Sequence, residues 1–132
     1  MRLPATTLLL SLTACSNQHV PVAADRWHQL EAESNRLTAT FRGAIWERRM
    51  LSAHNVFWPQ IYQACAAEPR KDGIESFRAI AVINSKGFVT EFLVNPENKA
   101  LACFTRHMVG RKYPAPPKAP FYEVYTVNLS SM

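Results

Sequence analysis

Apolar positions in the first half of the chain return at helical spacing. From Asp25, a residue suited to capping, Trp27, Leu30, Leu37, Phe41, Ile45 and Trp46 recur at intervals of three, four and seven. This predicts a helix that Gly43 interrupts and that ends near Arg48-Arg49. A second, short helix is expected from Pro59 to Ala67, with proline in the favoured first turn and Ile61 and Cys65 on one face. Glu68 to Gly73 then reads as a polar turn.

The pattern changes at Ser76. Ser76 to Ile83 (SFRAIAVI) is rich in β-formers and apolar on both faces, which suits an interior strand. Asn84-Ser85-Lys86-Gly87 is a four-residue turn with glycine available for a left-handed position, and Phe88 to Val94 answers as the antiparallel partner. Asn95-Pro96 reads as a cap and first helical residue, opening a helix to about Val109 with Leu101, Phe104 and Met108 on one stripe. Cys103, with Ala100 and His107, sits beside that stripe, aimed where the Cys65 helix could lie. The prolines between Tyr113 and Pro120 forbid regular structure, and Phe121 to Leu129 is a last long strand. The expected fold class is α+β: N-terminal helix or helices, then a small antiparallel sheet made of a hairpin, a helix and a final strand.

Composition narrows the class. The chain has 132 residues, 48% of them hydrophobic, 19% charged and 11% aromatic, with nine prolines and four glycines. That excludes a disordered chain, a coiled coil and a collagen-like filament. No apolar run is long enough for a permanent membrane-spanning helix. Residues 1–14 carry Arg2 and then a short apolar stretch from Leu3 to Leu12. The tetrapeptide Leu12-Thr13-Ala14-Cys15 resembles the lipobox of bacterial lipoproteins. The resemblance implies that residues 1–14 are a signal peptide and that Cys15 becomes the lipidated first residue. It further implies that residues 15–24 tether the domain to a membrane face. With Ser16 and not Asp after the cysteine, the resemblance further implies the periplasmic face of the outer membrane.

With Cys15 lipidated, Cys65 and Cys103 remain, and in an oxidising compartment two cysteines most simply form one disulfide. Unpaired buried thiols, a metal site in which His107 joins both cysteines, and a Cys103–His107 nucleophile are the alternatives. No C-x-x-C pair supports a metal site, and an oxidised Cys103 cannot act as a nucleophile. His19, His28, His54 and His107 are scattered without a relay partner, and Glu91 and Glu123 lie within strands without a glycosidase pattern. No phosphate-binding loop or cofactor frame is present, so no enzyme activity, cofactor or metal is expected.

The order helix, strand, tight turn, strand, helix, Tyr-Pro bend and final strand resembles the C-terminal domain of TonB and TolA. It resembles more particularly the cysteine-containing relatives found in gliding-motility proteins such as AgmX. The features carrying the resemblance are Cys65, Lys86-Gly87-Phe88-Val89, Cys103, Tyr113-Pro114-Ala115-Pro116 and Phe121 to Leu129. It covers about Phe57 to Leu129, so that the chain after the tether divides into an N-terminal helical segment, residues 25–54, and a TonB-like domain, residues 55–132. The inner-membrane helix and the long spacer of TonB have no counterpart here, so energy transduction does not carry over. What the resemblance implies is binding by strand addition, with Phe121, Glu123, Tyr125 and Val127 of the last strand as candidate partner contacts.

The formal charge of +5 falls to +4 once Arg2 leaves with the leader. Arg106, Arg111, Lys112 and Lys118 cluster loosely, apart from Arg48-Arg49 and Arg70-Lys71, and a solvated helix end accounts for them better than an anionic surface does. Trp27, Trp46, Phe57, Trp58 and Tyr62 read as core rather than as a sugar platform. The expectation is a lipid-anchored periplasmic scaffold or adaptor that binds an envelope protein and no nucleic acid. An inhibitor or immunity lipoprotein is the alternative, and a thiol-dependent envelope enzyme is a third.

Overall fold

The computed structural model describes residues 22–130. The expected leader, Cys15 and His19 lie outside the described residues. The first helical stretch is two helices rather than one. Helix α1 runs Val22–Thr38 and α2 runs Phe41–Cys65. The break falls at Ala39-Thr40, before Gly43, because Thr40 is extended and its hydroxyl accepts the Gly43 N–H, which starts a new helix. The change of direction removes Phe41 and Ile45 from the buried stripe: Phe41 is 81% exposed and Ile45 42%. Gly43 is required where the two helices meet, since a Cβ there would lie 2.0 Å from the Leu37 carbonyl oxygen.

Pro59 lies inside α2 rather than at a helix start. It and Asn55, whose carbonyl its ring leaves without an N–H, are both on the solvent side, where water replaces the lost bond. The opposite side of α2 buries Trp46, Met50, His54, Ile61 and Cys65, and α2 passes unbroken through the expected boundary at 54/55. A short helix α3, Ala67–Lys71, follows in place of the expected turn. Strand β1, Ser76–Ile83, pairs with β2, Val89–Asn95, through the Asn84–Gly87 turn. Gly87 has φ of +91° and a Cβ there would strike the Tyr113 carbonyl, so two independent requirements keep it glycine. Asn95 ends β2 instead of capping a helix. Asn98 takes that role, its side chain accepting the Ala100 N–H ahead of a 3₁₀ turn, Lys99–Leu101, and helix α4, Ala102–Met108. Strand β3, Phe121–Asn128, completes an antiparallel sheet ordered β2-β1-β3.

The alternation of β1 sets up three layers. Phe77, Ala79, Ala81 and Ile83 belong to the core shared with α2 and α4, together with Phe92, Phe104, Phe121 and Val127. Phe92 and Tyr125 come within 6.1 Å, ring centre to ring centre, over the alanines that separate them on β1. The other face is crossed by α1. Arg26 pairs with Glu91 of β2, and Arg78 of β1 reaches Glu31 while lying over the Trp27 ring. Trp27 and Ile80 are buried, whereas Leu37, near the end of α1, joins the core on the α2 side. Cys65 at the end of α2 and Cys103 in α4 form a disulfide with Cα atoms 5.4 Å apart. No described helix is long and apolar enough to cross a membrane.

Candidate functional site

The two outer strands differ in what covers their free edges. On β2, Val89 exchanges backbone hydrogen bonds with Gly110 and Arg111, and Thr105 donates to the Phe92 carbonyl, so this edge is blunted. On β3 the pairing phase follows from the Leu129 N–H, which donates to the Glu75 carbonyl. In an antiparallel ladder bonded pairs alternate. With Ser76 opposite Asn128, residues 121, 123, 125 and 127 therefore bond to β1. The N–H and C=O groups of Tyr122, Val124 and Thr126 point outward, and none has a hydrogen-bond partner among the described residues. The end of the edge is closed: Tyr62 donates to the Asn128 carbonyl, and Arg70 donates to both the Leu129 carbonyl and the Tyr62 hydroxyl.

The candidate contacts Phe121, Glu123, Tyr125 and Val127 all project toward α2, so their side chains belong to the core face, while the intervening residues carry the open edge. Glu123 is the anomaly. It is 7% exposed, and its Oε2 is buried with no hydrogen-bond partner. Burial, and then the neighbouring Glu47 carboxyl, push Glu123 up to about 8. The two acids open onto a shallow depression between α2 and β3, walled by Ala44, Arg48, Met50 and Leu51. Neither acid is in a salt bridge among the described residues.

Behind this pair lies a hydrogen-bonded ring cluster. Tyr125 donates to the Tyr113 hydroxyl at 3.0 Å, and Tyr113 lies 2.8 Å from His54 Nδ1. His54 stacks on Tyr125 and Trp58. Desolvation lowers His54 to about 4, so the ring is neutral at physiological pH and Nδ1 accepts from Tyr113. Burial raises both tyrosines, holding them as phenols. The cluster joins α2, the Tyr113 bend and β3, and it fixes the strand that carries Glu123.

The cysteine site resolves differently from a metal or nucleophile frame. Cys65, Cys103 and His107 bring their ligand atoms within 4.8 Å of one another, but the two sulfurs are bonded to each other. In this state neither thiol is available for attack or coordination. Glu91 is engaged by Arg26, and His28 and His107 are exposed. The basic residues are dispersed. Arg111 donates to the His107 carbonyl at the end of α4 and lies over Phe57, Lys112 lies over Phe88, and Lys71 pairs with Glu68. Trp27 and Trp46 are buried, and the Trp46 indole donates to the Pro114 carbonyl. Phe57, Trp58 and Tyr62 pack against the core.

Glu47 and the His54–Tyr113–Tyr125 cluster were not identifiable as partners from sequence, because only the β1–β3 register and the path of α2 bring them together. One signal was present: in the alternation Phe121-x-Glu123-x-Tyr125-x-Val127, a carboxylate stands at a core-facing position. Comparison with family models, curated proteins and solved structures finds no match to the chain.

Proposed function

We propose that this protein is a lipid-anchored adaptor of the bacterial cell envelope that binds another protein by adding the partner's extended segment to the free edge of β3. The observation that carries the reading is the row of outward N–H and C=O groups at Tyr122, Val124 and Thr126, beside the shallow depression between α2 and β3. An exposed edge of this kind is ordinarily protected, and β2 has that protection. Main-chain hydrogen bonds would supply affinity and the depression specificity. The lipobox-like tetrapeptide ending at Cys15 supports anchoring, and the Cys65–Cys103 disulfide accords with an oxidising compartment. From the TonB-like resemblance the reading keeps only the mode of binding.

Thr126→Pro tests it. The Thr126 N–H is not used in the ladder to β1, and proline is tolerated on an edge strand when its missing donor faces outward. The variant is expected to fold and to lose crosslinks that a photoreactive residue at Tyr122, on the same open edge, makes to an envelope partner. Retention of those crosslinks in folded Thr126→Pro would reject strand addition. Palmitate labelling of the wild type and its absence in Cys15→Ser tests the anchor.

A further inference from the structure

We infer that the segment added to β3 presents a lysine or arginine side chain to the Glu47–Glu123 pair, so that this edge selects a basic strand. The inference rests on the strand-addition reading and specifies its partner. A buried carboxyl with one oxygen unpaired is a rare and costly arrangement, and a second carboxyl beside it adds repulsion. The groups facing Glu123 are Glu47 and Arg48 from α2, Tyr125 from β3 and Tyr113 from the proline-rich bend. Arg48 lines the depression without bridging either acid. The pair therefore holds a proton where a cation would fit.

Strand geometry places that cation. On an added strand, the residue opposite Glu123 projects to the same face, with its Cβ about 5 Å away. That face is the one on which α2 and the depression lie. The ammonium or guanidinium group would enter between Glu47 and Glu123, with its stem along Leu51 and Ala44. The proton on Glu123 passes to solvent as the ion pair forms, so charge balances and binding releases one proton. A second copy of this chain is a poor occupant, because FYEVYTVN carries no Lys or Arg and would bring two acid pairs together.

The test uses the full chain and two capped nonapeptides of alternating threonine and valine, one with lysine at the central threonine position and one with norleucine there. Affinities are measured from pH 6 to 9. The lysine peptide is expected to bind at least about tenfold more tightly at pH 9, with its advantage shrinking by up to tenfold per pH unit below 8. Proton release should appear as a buffer-dependent heat, and Glu123→Gln should abolish the difference between the peptides, its fold checked by circular dichroism. Glu47→Gln should reduce the difference. Equal binding of both peptides across the range would overturn the cation inference and leave strand addition standing. Binding of neither would reject both. Self-association of the chain through β3, seen by sedimentation, would assign the edge to a second copy instead.

Discussion

Two buried ionisable side chains push stability in opposite directions with pH. His54 is neutral in the folded protein to about pH 4, against 6.5 when exposed. Its contribution is present above 6.5 and is lost as pH falls through 4. Glu123 keeps its proton in the folded state to about 8, against 4.5 when exposed. Its contribution is present below 4.5 and is lost as pH rises through 8. Where the windows overlap the slopes cancel, so stability should be greatest near pH 5–6 and decline toward 8. Glu123→Gln, which imitates the protonated acid, should flatten that decline and add on the order of 2 kcal/mol at pH 9. Urea unfolding across pH checks this; a wild-type curve level from 6.5 to 9 contradicts it. Gly87→Ala should cost more than about 1 kcal/mol, because it meets both a left-handed backbone and the Tyr113 carbonyl.

Among the elements, α2 is held to the sheet by side chains along its length and to α4 by the disulfide. Cys65 and Cys103 are separated by 38 residues, so reduction should lower stability by about 2–5 kcal/mol, measured as the shift in denaturation midpoint with and without dithiothreitol. A shift near zero would show that α4 is held by Phe104, Leu101 and Met108 alone. This link was legible in the sequence because Ile61 and Cys65 share one helical face and Cys103 lies beside the apolar stripe of α4. The hairpin was legible too: SFRAIAVI, apolar on both faces, suits a doubly covered strand, and Asn84 and Gly87 supply the turn chemistry. Pro59 was not legible. Local preference favours it in a first turn, but the buried stripe from Trp46 to Cys65 extends the helix through it, with the break in bonding turned to water. The Glu47–Glu123 pair was hidden for a different reason: register is a property of paired strands, and only the misplaced polarity at position 123 hinted at it.

Across the whole molecule, the sheet is a middle layer, and its two coverings differ in strength. The face toward α2 and α4 carries the main core and the disulfide. The face under α1 depends on Trp27 and Ile80, framed by the Arg26–Glu91 and Glu31–Arg78 pairs, while Leu37 at the end of α1 joins the main core. Those pairs are partly exposed, with both Arg26 and Glu91 close to half accessible, and exposed pairs contribute about 0–1 kcal/mol each. Each large apolar side chain contributes about 1.5–3 kcal/mol on burial. The apolar contacts must therefore dominate the docking of α1. Trp27→Ala should cost about 3 kcal/mol or more, whereas Arg26→Ala should cost less than about 1. A chain beginning at Phe41 would expose Ile80 and its neighbours. It should bind 8-anilinonaphthalene-1-sulfonate and unfold without a sharp transition, although it retains every strand and the disulfide. Cooperative unfolding of that fragment, with a midpoint within a few degrees of the full chain, would show that α1 is an appendage and that the two-layer half folds alone.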